Sequence, residues 1–280
     1  MPLKKILVIA GPTASGKSGL ALKLAENGCV VNADSMQIYR DLTILSARPM
    51  PTEMQGIPHL LYGYADCRHQ GTVQDWLDRV VPVLKAEKNP VLVGGTGLYL
   101  SSLINGINQI PDVPADIRQQ VRHMDLATVR EQVRDCPFTD PQRLRRALEV
   151  QLATGKSLAY FKSLPKKKLL NADFRVIFLN PPRDKLYHNC ARRLDQMFAQ
   201  GAVEEVRHLM SLNPTGGVLK AIGMPEIAAF INGKISQAEM QEQVLLSTRH
   251  YAKRQITWFR HQLKADIVLT DPTDPLTDCK

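Results

Sequence analysis

Short, mostly apolar runs recur along the chain, and turn-forming residues bound each of them. Four runs stand out, at residues 6–10, 29–31, 91–93 and 174–179. Strands that are apolar on both faces are typical of parallel sheets covered by helices, whereas half-exposed strands alternate. The pattern therefore predicts an α/β fold with a parallel sheet flanked by helices.

Longer segments between these runs carry apolar residues at a helical spacing. Thr72, Asp140 and Ser236 each precede such a segment and are suitable N-cap residues. After Asp140, we expect Leu144, Ala147, Leu148 and Leu152 to face the core. In the last long helix, we expect a buried stripe of Met240, Val244, Tyr251 and Trp258.

Composition adds a basic charge and gives no sign of a membrane segment. The 280 residues include 36 Lys and Arg against 27 Asp and Glu, a net charge of +9. Such an excess favours polyanionic partners, nucleic acid first, although a merely basic surface has the same composition. No apolar run approaches the ~18 residues of a membrane span. The scattered cysteines form no C-x-x-C pair, so we expect reduced thiols and a cytoplasmic protein; they are Cys29, Cys67, Cys136, Cys190 and Cys279.

A phosphate-binding loop follows the first apolar run. Residues 11–18 read GPTASGKS, a complete G-x-x-x-x-G-K-S sequence between a predicted strand and a predicted helix. Backbone N–H groups of such a loop, and the positive end of the helix dipole, surround a diphosphate. Lys17 adds a positive charge, and the Ser18 hydroxyl is a candidate Mg²⁺ ligand. The predicted diphosphate-binding residues are Gly11, Pro12, Thr13, Ala14, Ser15, Gly16, Lys17 and Ser18.

Two further strand ends carry candidate site residues. Asp34 follows the second run and Thr96 the third, and ligands gather at the carboxyl ends of strands in doubly wound sheets. Position alone favours a substrate site and a helix N-cap role for Asp34 or Ser35 equally. Residues 94–96 lack the acidic metal ligand that a P-loop ATPase usually has at this strand end, which disfavours ATP hydrolysis.

Five stretches together resemble one protein family. They read GPTASGKS at 11–18, NADSMQIYR at 32–40, GGTGLY at 94–99, DPQRLRRALEV at 140–150 and TRHYAKRQITWFR at 248–260. In this order they resemble the tRNA dimethylallyltransferases, also called tRNA isopentenyltransferases. The resemblance covers nearly the whole chain, and it implies a P-loop NTPase-like core with a helical insertion.

The resemblance also implies a reaction. A dimethylallyl group passes from dimethylallyl diphosphate to the N6 amine of the adenosine just 3′ of the anticodon, in tRNAs that read codons beginning with U. Asp34 resembles the family's base, and Thr96 the hydroxyl between nucleotide and phosphate. Lys220 stands where the family often has a diphosphate-binding arginine. Mg²⁺ is the expected cofactor, tRNA and dimethylallyl diphosphate are the expected partners, and a monomer is the expected state.

The insertion is expected at residues 111–168, within a core of residues 1–110 and 169–280. It looks shorter than in the family, and we expect it to contact the tRNA anticodon arm. Spacing alone favours a solvated face for the polar side of the helix after Asp140, whereas the resemblance favours RNA contact. The predicted tRNA-binding residues are Asp34, Ser35, Met36, Gln37, Thr96, Arg118, Gln142, Arg143, Leu144, Arg145, Arg146, Arg249, Lys253 and Arg260.

Two other functions share parts of this pattern. A small-molecule or nucleotide kinase would use the same loop, but the missing acidic strand end and the arginine-rich helices count against it. A non-catalytic RNA-binding protein would explain the charge but leaves Asp34 and Thr96 without a role.

Overall fold

The computed structural model describes residues 3–275. Six strands form one sheet in this part of the chain: β1 Lys4–Ala10, β2 Cys29–Asn32, β3 His59–Leu60, β4 Pro90–Gly94, β5 Ala172–Leu179 and β6 Ile267–Leu269. Their order across the sheet is β3-β2-β4-β1-β5-β6, and every pairing is parallel. The predicted parallel α/β architecture is confirmed, with the four apolar runs forming β1, β2, β4 and β5.

The helices are α1 Lys17–Leu24, α2 Val73–Ala86, α3 Gly97–Asn105, α4 Ala115–His123, α5 Leu126–Gln132, α6 Pro141–Thr154, α7 Leu158–Ser163, α8 Arg183–Ala199, α9 Ala202–Ser211, α10 Met224–Ile231 and α11 Gln237–Gln262. Shorter 3-10 turns occur at Pro51–Glu53 and Gly216–Lys220. The predicted caps are confirmed, since the side chains of Thr72, Asp140 and Ser236 each accept the expected backbone N–H. Between residues 3 and 275, no helix is long and apolar enough to cross a membrane.

Strand order places a ligand crevice at the carboxyl ends of β1 and β4. These two strands lie side by side, with Ala10 paired to Gly94. The chain leaves β1 towards β2 on one side of the sheet, whereas after β4 it next enters the sheet at β5, on the other side of β1. Such a reversal leaves room above the strand ends, where α/β proteins bind ligands.

The chain divides into two compact units. Unit 1 contains residues 1–104 and 170–280 and holds the sheet. In its core, Ile9, Val30 and Val93 pack with Leu20 and Ala21 of α1. A second cluster joins the segment after β2 to α9, α10 and α11, through Ile38, Leu42, Val206, Ile227 and Val244. Burial of these side chains supplies the main force that holds the helices on the sheet.

The predicted stripe on α11 is only partly correct. Met240 and Val244 are buried, but Tyr251 and Trp258 are half-buried. The buried face continues instead through Ala252, Gln255 and Phe259. The reason is the 3.6-residue period, because a strict seven-residue repeat drifts about 20° per heptad around a straight helix.

Unit 2, residues 105–169, has a core of its own. Helices α4, α5, α6 and α7 enclose a cluster that includes Val121, Val129, Leu148 and Phe161. The two ends of the unit are joined by an antiparallel bridge, in which Ile107 and Lys167 exchange backbone hydrogen bonds of 3.1 and 2.9 Å. The segment therefore buries its apolar residues among themselves.

On α6, the structure corrects two residue assignments. Leu144, predicted both to face the core and to contact tRNA, is only 5% exposed, so the core prediction is confirmed and its side chain packs inside unit 2. Leu152, predicted as core, is 43% exposed, and Val150 is buried in its place. Helices α4, α5 and α7 all contact α6, so its buried face extends from Leu144 and Leu148 to Val150.

Four of the five cysteines, Cys29, Cys67, Cys136 and Cys190, are free. Cys279 lies outside the described residues.

Candidate active site

The phosphate-binding loop turns at two positions that require glycine. A Cβ on Gly11 would lie 2.7 Å from the carbonyl oxygen of Leu179 at the end of β5, so no side chain fits there. Gly16, immediately before α1, has a φ of 90°. The loop therefore leads directly into the N-terminus of α1, which is the positive end of the helix dipole. Gly11 and Pro12 are buried, and the other six residues line a cavity: Thr13, Ala14, Ser15, Gly16, Lys17 and Ser18.

Lys17 lies in the first turn of α1 and folds back over the loop. Its Nζ donates a hydrogen bond to the Pro12 carbonyl oxygen at 2.6 Å. Burial lowers the pKa of Lys17 to about 8; the negative charge of Asp34 opposes this shift, and the positive charge of Arg193 adds to it. A bound anion favours the charged form of a lysine. Lys17 is therefore set up to gain a favourable interaction when a phosphate binds.

Asp34 follows β2 and belongs to a turn rather than to a helix. Its backbone N–H donates to Asn32 Oδ1 at 2.8 Å, and its Oδ1 accepts from the Met36 N–H at 2.9 Å. The next helical turn begins only at Pro51. The helix-cap alternative for Asp34 is therefore excluded, and the Met36 contact orients the carboxylate.

Thr96 lies behind Ser35. Its Oγ1 accepts the Ser35 backbone N–H at 2.9 Å and donates to Ser35 Oγ at 3.2 Å. Ser35 lines the cavity, whereas the half-buried Thr96 is outside the cavity lining. In this conformation Thr96 connects the end of β4 to the segment after β2.

The cavity has a volume of about 970 Å³ and joins most of the residues predicted from the three strand ends. Asp34, Ser35, Met36 and Gln37 line it together with the phosphate-binding loop. Lys220, at the end of a 3-10 turn, is exposed and also lines it. The volume is in the range of pockets that bury a small organic ligand.

Helix α8 contributes two side chains that the sequence analysis missed. Arg193 Nη1 donates to Thr13 Oγ1 at 3.3 Å, and Asn189 Nδ2 donates to the Ala14 carbonyl oxygen at 3.3 Å. Burial lowers the pKa of Arg193, while the negative charge of Asp34 raises it. The available signal was the spacing of Asn189 and Arg193, which are four residues apart and directly precede the apolar residues Cys190 and Leu194. Residues four apart lie on the same helix face, so both pairs face the rest of unit 1.

Gln255 on α11 was also missed, although it lies in a motif that the sequence analysis identified. Its Oε1 accepts the Thr13 backbone N–H at 2.8 Å, and its Nε2 donates to the Gly95 carbonyl oxygen at 2.9 Å. Only 6% of its surface is exposed. A glutamine on a buried helix face was the available signal, because buried amides need partners.

The predicted cations of α11 lie outside the cavity lining. Lys253 and Arg260 are exposed, whereas Arg249 is half-buried with its guanidinium 5.3 Å from the centre of the Tyr187 ring. The same helix lines the cavity through Thr248 and Tyr251. Burial raises the pKa of the Tyr251 hydroxyl, and the nearby charge of Asp34 adds to this effect.

Within unit 2, some of the predicted basic residues make contacts with other residues of the unit, whereas others are exposed. Arg145 donates to the Val121 and Met124 carbonyl oxygens, the latter at 2.9 Å, so it caps the end of α4. Arg146 pairs with Glu149 at 3.3 Å. Arg118, Gln142 and Arg143 are exposed, and the Arg143 guanidinium lies 5.4 Å from the centre of the Phe138 ring.

The chemistry of the cavity suits a magnesium ion that is bound mainly through phosphate. Among the described residues, no group of three or more His, Cys, Asp or Glu side chains is arranged to hold a metal. Mg²⁺ does not need such a group in phosphate sites, where one or two protein oxygens, substrate oxygens and water complete its shell. Ser18 lines the cavity and offers one such oxygen.

Comparison with known proteins identifies the family. The IPP transferase family matches residues 37–262. A tRNA dimethylallyltransferase of Rickettsia bellii is 41% identical over 289 residues, covering 96% of this chain and 92% of that protein. One of Hyphomonas neptunium is 44% identical over 277 residues, covering 91% and 88%. A solved structure of a eukaryotic dimethylallyltransferase acting on tRNA has a TM-score of 0.81 at 29% identity, and covers 97% of this chain and 74% of that chain. The predicted P-loop NTPase-like fold and family are confirmed: this chain belongs to the tRNA dimethylallyltransferases, the IPP transferase family.

Proposed function

We propose that the protein transfers a dimethylallyl group from dimethylallyl diphosphate to the N6 amine of an adenosine in tRNA. The acceptor is the adenosine immediately 3′ of the anticodon in tRNAs that read codons beginning with U. Family membership supports tRNA dimethylallyltransferase activity. The observation that carries the mechanism is that the Lys17 loop and the Asp34 carboxylate line one cavity.

The diphosphate is the leaving group in this reaction. The bond between C1 of the dimethylallyl group and the diphosphate oxygen breaks, and the electron pair leaves with that oxygen. Lys17, Arg193, Lys220 and the loop N–H groups lie around the cavity, where they counter the developing negative charge. Bound diphosphate also raises the protonated fraction of Lys17, so leaving-group charge and lysine charge stabilise each other.

The adenosine amine forms the new bond to C1 and loses one proton, which we assign to the Asp34 carboxylate. An aromatic amine is a weak nucleophile, so a base placed at its N–H lowers the barrier. Met36 N–H holds Asp34 Oδ1 in position. Thr96 acts through Ser35, because it donates to Ser35 Oγ and accepts the Ser35 N–H.

We further propose Mg²⁺ as the cofactor, held by Ser18 and diphosphate oxygens. When bound, it supplies positive charge to the leaving diphosphate. Its removal by a chelator should reduce turnover.

The tRNA contacts are proposed from exposed cations in each unit. Arg118 and Arg143 in unit 2, and Lys253 and Arg260 on α11, are exposed, which supports the proposal that they contact tRNA phosphates. A base must leave its stack to enter a cavity of this kind, which costs least in a single-stranded loop. We propose that one chain acts as a monomer in the cytoplasm; light scattering at working concentration tests the first of these points.

One assay tests the reaction class. Purified protein is incubated with bulk tRNA and either labelled dimethylallyl diphosphate or γ-labelled ATP. We expect the prenyl label on an adenosine beside the anticodon, and loss of transfer in Lys17→Ala. Transfer of the ATP label to any acceptor, with no prenyl transfer, would instead establish the kinase alternative. Binding of tRNA with neither transfer would leave only an RNA-binding function.

A further inference from the structure

Glu205, in the first turn of α9, contacts a loop that is distant in sequence. Its carboxylate accepts three successive backbone hydrogen bonds: from Thr43 at 2.6 Å and Ile44 at 2.8 Å on Oε1, and from Leu45 at 2.8 Å on Oε2. Charge-assisted bonds of this kind are among the stronger hydrogen bonds in proteins. Three of them on one carboxylate constrain the backbone of the loop.

The segment that Glu205 holds, residues 43–48, is called here the cavity loop. Leu45, Ser46 and Ala47 line the cavity. Ala47 has a φ of 48°, a backbone conformation that L-residues rarely adopt and that needs support from its surroundings. Arg48 holds the loop from the other side, through the Tyr39 carbonyl oxygen at 3.2 Å and the Arg40 carbonyl oxygen at 3.0 Å.

The cavity loop in turn binds the side chain of Gln37. Gln37 Nε2 donates to the Ser46 carbonyl oxygen at 3.1 Å and to the Ala47 carbonyl oxygen at 2.9 Å. A side-chain amide has two N–H donors and one carbonyl acceptor. Since both donors are engaged by the loop, the acceptor Oε1 is what Gln37 has left to offer a ligand in the cavity.

We propose that Glu205 is a positioning residue for the nucleobase. Its carboxylate holds the cavity loop in the conformation that commits Gln37 to the role of hydrogen-bond acceptor. An acceptor pairs with an amino group and repels a carbonyl group, so this arrangement favours a base with an exocyclic amine. The inference rests on the proposed function, since it concerns the acceptor side of the same cavity.

The variant Glu205→Gln tests the proposal, with Glu204→Gln as the matched control. Both remove one negative charge from the first turn of α9, but Glu204 is exposed. In Glu205→Gln, an amide N–H₂ group faces backbone N–H donors. We expect faster hydrogen exchange at the amides of residues 43–45 in Glu205→Gln, and wild-type exchange in Glu204→Gln.

Kinetics give the second readout. We expect kcat/KM for tRNA to fall about 10²-fold in Glu205→Gln, the size of effect that a 1 Å displacement of a substrate contact produces. The affinity for inorganic diphosphate should stay at the wild-type value, because the loop of residues 11–18 is untouched. Unchanged exchange at residues 43–45, or an equal loss of diphosphate affinity, would overturn the proposal.

A shorter carboxylate keeps the test decisive if Glu205→Gln does not fold. Glu205→Asp retains the charge but is shorter by one methylene group. Its hydrogen exchange at residues 43–45 should therefore be faster than in the wild type, and its turnover of tRNA slower, but both effects should be smaller than those expected for Glu205→Gln. Values equal to those of Glu204→Gln would contradict the proposal. If wild type and Glu204→Gln transfer no prenyl group, the proposed function fails, while exchange at residues 43–45 and tRNA affinity still test Glu205.

Discussion

The side chain of Gln255 accepts a hydrogen bond from the backbone N–H of Thr13 at 2.8 Å. The same amide donates to the Gly95 carbonyl oxygen at 2.9 Å, so it links the loop after β1 to the loop after β4. A carboxylate cannot replace it, because it has no donor for Gly95. One helix thus sets the spacing between the phosphate-binding loop and the segment that carries Thr96.

We expect Gln255→Leu to lower the free energy of unfolding by about 1–3 kcal/mol, because it leaves buried backbone groups of Thr13 and Gly95 without their partner. Diphosphate affinity should fall as well, since Thr13 belongs to the binding loop. Denaturant unfolding and calorimetric titration with inorganic diphosphate measure the two effects. Gln243→Leu, an exposed position on the same helix, is the control, and an equal response of both variants would contradict the prediction.

Asp34→Asn should reduce the rate of prenyl transfer by about 10²–10⁴, because the amide cannot take the proton from the adenosine amine. The hydrogen bond from Met36 N–H can remain, since the amide oxygen still accepts it. Single-turnover rates with saturating tRNA and dimethylallyl diphosphate measure the chemical step, and filter binding measures tRNA affinity, which should change little. Asp78→Asn, at an exposed position of α2, controls for charge. A near-wild-type rate in Asp34→Asn would remove this carboxylate from the mechanism.

The lowered pKa of Lys17 predicts a pH dependence of diphosphate affinity. Burial brings this pKa to about 8, so the cation is present below pH 8 and is lost as pH rises through that value. Affinity for inorganic diphosphate should therefore fall above pH 8 in the wild type. The ratio of wild-type to Lys17→Met affinity cancels the ligand's own titration. A ratio that is constant from about pH 7 to 9.5 would contradict this role of Lys17.

The same shift has a consequence for stability. The folded pKa of Lys17 is below its unfolded value of 10.5, so between about pH 8 and 10.5 the unfolded chain binds more protons than the folded chain. Lys17 therefore destabilises the folded state below pH 8, and the folded state becomes more stable as pH rises through this window. Lys17→Met should remove that slope, which urea unfolding at several pH values measures.

Sequence reasoning found the parts of the fold that have a local cause. The apolar runs of β1 and β4 are largely buried, and the loop at residues 11–18 follows from its glycines. It missed the edge strands β3 and β6, which have two and three residues, because so short a segment has no hydrophobic period. Whether such a short segment joins the sheet depends on the strand beside it, β2 for β3 and β5 for β6.

At the site, the sequence indicated the residues at the strand ends but not the side chains that hold them. Asp34 and Lys17 lie in motifs, so their types and positions were informative. Arg193, Gln255 and Glu205 act on loops that are 160 or more residues away along the chain. No local pattern specifies such a pairing, because it depends on how α8, α9 and α11 pack within unit 1.

The corrected face of α6 gives a stability test within unit 2. Leu148 is fully buried, whereas Leu152, one helical turn later, is 43% exposed. Leu148→Ala should cost about 2–5 kcal/mol, through reduced apolar burial and the cavity that remains. Leu152→Ala should change the free energy of unfolding by less than about 0.5 kcal/mol. Hydrogen exchange of the α6 amides in denaturant reports on this unit, and similar values for both variants would show that the two faces are assigned wrongly.

The last prediction concerns which cations hold the tRNA. If unit 2 contacts the anticodon arm, replacing Arg143 and Arg146 with alanine should weaken binding to all substrate tRNAs. Removing each phosphate contact should also flatten the log–log dependence of affinity on salt by about 0.7–0.9. Arg146 is partly neutralised by Glu149 at 3.3 Å, so the exposed Arg143 should account for the larger share.

The double variant Lys253→Ala and Arg260→Ala is the matched comparison, because both residues are exposed on α11. Affinity for inorganic diphosphate should be unchanged in both double variants, since none of the four residues lines the cavity. If the unit 2 variant keeps the wild-type salt slope and the α11 variant flattens it, the cations of α11 carry the RNA. In that outcome the polar side of α6 is a solvated face, as its spacing alone suggests, and the predicted contact between unit 2 and the anticodon arm is wrong.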